Sequence, residues 1–168
     1  MRQSRRIALC AVMISAALAL SYIERFIPLQ MIVPLPGIKL GLANIVTLIA
    51  LYTLDFSSAM VILVLRCLLG SLFGGGVTAL MFSLTGGVLS VLCMGAAKKA
   101  PFLSIYGVSI LGAAAHGVGQ IAVAMCMMRS VYIGAYLPWL LCTALATGTA
   151  TGAAGAGVLR ALPHRRAL

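Results

Sequence analysis

Acidic side chains are almost missing from this chain: Glu24 and Asp55 stand alone against twelve lysines and arginines. Two carboxylates so far apart in sequence do not make the paired acidic site that holds a magnesium diphosphate or a catalytic metal. The phosphate-binding pattern G-x-x-x-x-G-K-[ST] is absent, which excludes ATP hydrolysis by the P-loop route, and H-E-x-x-H is absent too. Cysteines never fall at C-x-x-C spacing; Cys10, Cys67, Cys93, Cys126 and Cys142 lie singly in apolar runs and read as small core residues. Neither a catalytic residue, a metal nor a cofactor is expected. Only 8% of the residues are charged, too few for an ordinary soluble domain.

Apolar residues take the place of charge. They make up 62% of the chain, and the mean hydropathy is +1.14, so the chain reads as an integral membrane protein. One helical crossing needs about 20 residues, so 168 residues hold five or six crossings and no separate soluble domain. Apolar runs at 7–23, 38–54, 56–73, 77–97, 104–128 and 136–159 predict an all-α bundle of six transmembrane helices, one domain spanning 1–168. Gly74, Gly75 and Gly76 break the third run from the fourth, and Lys98, Lys99 and Pro101 end the fourth. A signal peptide is the competing reading of the start, because Arg2, Arg5 and Arg6 precede an apolar stretch with Ala17-Leu18-Ala19 as an A-x-A site. Cleavage there would leave five spans and an outward amino terminus.

The net charge of +10 would suggest nucleic acid in a soluble protein. Here the basic residues gather at span ends, and no nucleic-acid motif occurs. Cytoplasmic termini put Arg2, Arg5, Arg6, Lys98, Lys99, Arg160, Arg165 and Arg166 inside and leave Arg25, Lys39 and Arg129 outside. That distribution satisfies the positive-inside rule.

Polar residues within the spans are the candidate ligand contacts, since an intramembrane charge is costly unless it is paired, snorkelling or facing water. Arg66 lies past the middle of the third run, either snorkelling outward or lining an outward-facing cavity. His116 and Gln120, one turn apart, share a face of the fifth helix, with Gly112 and Gly119 leaving room beside them; they bond to neighbouring helices or face a ligand. Lys39 and Asn44 fall on the outer half of the second helix, behind a Pro-rich connection that is not regular helix. Lys39, Arg66 and Arg129 together would make the outer half electropositive and suited to an anionic ligand.

Two stripes of small residues suit close helix packing. Ala144, Gly148, Gly152 and Ala156 recur every fourth residue in the sixth run, where a neighbour within the chain is the expected partner. The surrounding "GTATGAAGAG" has the wrong glycine order for a dinucleotide fingerprint. Ala11, Ser15 and Ala19 make a shorter stripe on the first helix, which as a terminal helix is suited to meeting another subunit.

The runs "PGIKLGLANIVTLIALY", "LRCLLGSLFGGG", "FSLTGGVLSVLCMG" and "AAAHGVGQIAVA" resemble the family named heptaprenyl diphosphate synthase component I, also called the Gx transporter family. The likeness extends from Leu18 to about Gly157. This family is similar to the S components of energy-coupling factor transporters, compact six-helix membrane proteins. The resemblance implies a bacterial cytoplasmic membrane protein that captures a small solute from outside, while a coupling subunit and two ATPases supply energy. It also implies a pocket beneath the connection between the first two helices, Pro28 to Gly37, and a first helix whose small residues meet the coupling subunit. Ala11, Ser15 and Ala19 fit that role, with serine where alanine is usual.

Synthase activity does not follow from the family name, because similar prenyl synthases use Asp-rich motifs and this chain has one aspartate. The expected function is a non-catalytic solute-binding subunit, with Lys39, Asn44, Arg66, His116 and Gln120 as ligand contacts. The alternative is an accessory membrane subunit in quinone- or flavin-linked extracellular electron transfer or in prenyl-lipid metabolism, with redox or prenyl-lipid proteins as partners. Membrane lipids are partners in either case, and nucleic acid in neither.

Topology is testable directly. In a variant lacking the native cysteines, a single cysteine at Pro36 is expected to react with an impermeant thiol reagent in intact cells, whereas one at Lys99 reacts only after lysis. Labelling at Pro36 only after lysis overturns the orientation.

Overall fold

A computed structural model describes residues 3–26 and 41–162 of the chain. Lys39, the Pro28–Gly37 connection, Arg2, Arg165 and Arg166 lie outside the described residues, so expectations placed on them are not addressed by it. The described part is helical, with no strand. Six α-helices overlie the six apolar runs: α1 Gln3–Ile23, α2 Asn44–Thr53, α3 Phe56–Gly70, α4 Gly76–Ala97, α5 Ile105–Met128 and α6 Leu137–Ala161. Four helical stretches are long and apolar enough to cross a membrane: Gln3–Ile23, Phe56–Ala97, Ile105–Met128 and Val131–Ala161.

Phe56–Ala97 comprises two helices folded back on each other. Phe73 and Gly74 leave the helical region, and Gly74 at φ 92° and Gly76 at φ 69° take left-handed conformations open to glycine. Beyond this turn Gly87 packs on Leu63 and Gly95 on the Phe56 ring, so α3 and α4 run antiparallel. Gly119 against Gly86 with Gly112 against Met94, and Gly148 against Ile110 with Gly152 against Tyr106, make α4–α5 and α5–α6 antiparallel as well. Lys98 at the end of α4 meets the end of α2, so α2 descends beside α4.

The second helix differs from its expected span. It begins at Asn44 rather than near residue 38, because Gly41 has φ 80° and the amides of Asn44, Ile45 and Val46 bond three residues back in a tight entry turn. Asn44 is therefore the first helical residue, and Lys39 precedes the helix.

One end of the bundle collects basic residues. Asp55 caps α3 by accepting from the Ser58 amide at 2.7 Å, and Arg6 pairs with the Asp55 carboxylate and donates to Ser58 Oγ at 2.8 Å. The Ser58 amide, with Arg6 beside it, holds the Asp55 carboxyl below its usual value. Lys98 Nζ donates to the Leu51 carbonyl at 2.7 Å and lies 4.9 Å from the Tyr52 ring centre. It thereby caps a carbonyl that the last turn of α2 leaves open. We call this the basic end, and the end carrying Glu24, Gly41, the Phe73–Gly76 turn and Arg129 the far end.

The sixth-helix stripe packs within the chain. A Cβ added at Gly148 would lie 2.6 Å from the Ile110 Cα, so only hydrogen fits there. Ala144, Gly152 and Ala156 are likewise buried. By contrast, α1 buries only Ala17 among its described side chains. The cysteines correct their reading as core: Cys67 is buried, Cys10 and Cys93 are half-buried, and Cys126 and Cys142 are exposed on the bundle surface.

Candidate functional site

Arg66 enters the structure as a problem of solvation. Its guanidinium cannot be left bare among apolar helices, yet the residue is only 6% exposed. Gly70, one turn further along α3, packs on Leu18 of the parallel α1, so Ser21 sits still nearer the far end. Arg66 reaches it by extending its side chain in that direction, where Nη1 donates to Ser21 Oγ at 3.3 Å and Nη2 to Asn44 Oδ1 at 3.2 Å. The direction is that of a snorkelling arginine, but the side chain ends in a buried network instead of in water.

Glu24 is a second buried charge at this end. Its Oε1 accepts from the Gly41 amide. Of the cations expected to make this end electropositive, Arg66 is buried, Arg129 is an exposed residue at φ 49° ending α5, and Lys39 lies outside the described residues.

His116 joins the same region from α5. A Cβ added at Gly41 would lie 3.0 Å from Asn44 Nδ2 and 3.3 Å from His116 Cδ2, and one at Gly86 would lie 3.0 Å from His116 Nδ1. The imidazole therefore sits between two glycines, on the turn before α2 and on α4, and both must lack a side chain for it to fit. Gln120 follows one turn later and is 1% exposed, and neither its amide oxygen nor its nitrogen has a hydrogen-bond partner among the described residues. Arg66 Nε is also without one. On α5 the pair falls between Val108 and Ile121, which belong to two separate apolar clusters.

Of the sequence-derived contacts, the structure brings Asn44, Arg66 and His116 together and places Gln120 beside His116 on one helix face. Glu24, Ser21 and Gly41 are additions. Lys39 lies outside the described residues. Ala11, Ser15 and Ala19 point away from the bundle and are exposed.

A family model described as heptaprenyl diphosphate synthase component I matches residues 13–158. The chain belongs to this family. No curated protein and no solved structure matches it. In this member of the heptaprenyl diphosphate synthase component I family the two carboxylates lie at opposite ends of the bundle, Asp55 with Arg6 and Glu24 with Gly41. They share no site.

Glu24 is buried and accepts from the Gly41 amide at the entry to α2. Glu24→Leu removes that acceptor and is expected to cost about 1–3 kcal/mol, read from unfolding in detergent, and unchanged stability would remove this contact from the account of the α2 entry turn.

Proposed function

We propose that this chain is a non-catalytic, solute-binding membrane subunit of the S-component type, in a bacterial cytoplasmic membrane, with all six helices crossing it and the basic end inside. The observation that carries the reading is the Gln120 amide. A buried primary amide with neither atom bonded costs on the order of 1–3 kcal/mol for each unmet group. Placed beside His116 and near the Asn44–Arg66 pair, it is suited to a ligand offering both a donor and an acceptor. Membrane helices gain no hydrophobic drive to hide such a group, so a ligand that satisfies it gives the cost a use. Lys39, just before α2 in the sequence, is the residue we assign to an anionic part of the solute.

The partner in this reading is a coupling subunit with its ATPases, contacted through Ala11, Ser15 and Ala19. Their outward exposure supports this, because a smooth face against lipid leaves room for a second helix at close approach.

Mass spectrometry of small molecules retained after gentle extraction tests the binding role. The wild type is expected to carry a polar solute that Gln120→Leu loses, with folding checked by size exclusion. A retained quinone or flavin would move the assignment to the electron-transfer alternative. For the partner, Ser15→Trp is expected to abolish recovery of a coupling subunit on affinity purification while the isolated protein stays folded. Unchanged recovery would remove this stripe from the interface.

A further inference from the structure

A second feature of the far end lies on the flank of the bundle. Ser21 of α1, Arg66 and Gly70 of α3, Ser71 beyond it and Ser83 of α4 line a small cleft of about 300 Å³ including its open mouth. It is small enough to take the head of a molecule and not its body. No carboxylate is among its lining residues.

We propose that this cleft is an oxyanion site built for a phosphate group, an assignment that goes beyond the solute-binding reading and shares only Arg66 with it. Arg66 is the buried cation, and its Nε has no partner while Nη1 and Nη2 hold Ser21 and Asn44 in place. Ser21 Oγ accepts from Arg66, which leaves its own hydrogen to donate to an incoming oxygen. Ser71 Oγ donates to the Leu68 carbonyl at 2.7 Å and can rotate toward an anion at the mouth. A guanidinium and hydroxyl donors around a small, low-dielectric opening match the several acceptor oxygens of a phosphate.

The rim points to where that phosphate comes from. Leu72, Phe73 and Val77, next along the chain from Ser71, are 78%, 72% and 75% exposed. They form an apolar apron at the cleft's end of the bundle. Charge inside and apolar surface outside fit a phosphate carried on a lipid, with free phosphate as the other source of the same chemistry.

The test uses the full chain in neutral detergent. Phosphatidic acid, diacylglycerol and inorganic phosphate are titrated separately, with native mass spectrometry and calorimetry as readouts. Phosphatidic acid is expected to bind and diacylglycerol not to. Ser21→Ala, which removes a donor, and Ser83→Val, which fills the cleft wall while every charge remains, are each expected to weaken phosphatidic acid about tenfold. Arg66→Gln is expected to weaken it further, and the two serine variants keep the test valid if that protein does not fold. Comparable binding of inorganic phosphate supports the oxyanion site and assigns it to free phosphate. No binding of either phosphate probe by the wild type, equal affinity of wild type and Ser83→Val, or equal affinity for diacylglycerol overturns the proposal. Solute retention is measured on separate samples, so its failure and the failure of this site are told apart.

Discussion

Burying one arginine among apolar helices sets the terms for the far end of this protein. The Arg66 guanidinium requires partners that the apolar helices around it do not provide, and each partner it finds comes from a different element: Ser21 from α1 and Asn44 from the first turn of α2. Glu24 holds the Gly41 amide, which fixes the left-handed turn from which α2 starts. Arg66 thus joins α1, α2 and α3, and the Glu24–Gly41 contact holds the turn from which the second helix begins.

The first helix shows what this arrangement achieves mechanically. It buries a single described side chain along its length, yet it is fastened at both ends by polar contacts, Arg6 to Asp55 and Ser58 at the basic end and Ser21 to Arg66 at the far end. Between the clasps its outward face carries Ala11, Ser15 and Ala19. A helix held this way keeps its position without deep packing and leaves a smooth surface available to another helix. The other half of the bundle is built differently. There α4, α5 and α6 approach closely because glycines face backbone atoms, as Gly119 faces Gly86 and Gly148 faces Ile110.

That close packing brings His116 and Gln120 into the interior, and it explains why polar groups can sit there without opening the bundle. The imidazole occupies space that glycines at positions 41 and 86 vacate. Gln120 is buried with its amide unmatched, a cost the fold tolerates beside the better satisfied network around Arg66. The buried polar groups and the helix packing therefore depend on the same small residues.

Composition and pattern alone determined that this is a multi-pass helical membrane protein of a particular family, because hydropathy, run length and ordered motifs are local properties of the chain. The break at Gly74–Gly76 and the inward stripe on α6 were legible for the same reason: glycine's missing side chain acts where it stands. Asn44, Arg66, His116 and Gln120 stood out because polar groups are rare in apolar runs. What they touch was not legible. The contacts of Arg66 with Ser21, forty-five positions earlier in the chain, and with Asn44, the late start of α2 and the serine-lined cleft arise only when separate helices meet. The exposure of Cys126 and Cys142 was hidden likewise, since apolar runs facing lipid and facing a core read alike. Sequence records which groups must be satisfied in a membrane, and tertiary structure decides by which partners, because the partners are brought together by packing across the bundle and not by proximity along the chain.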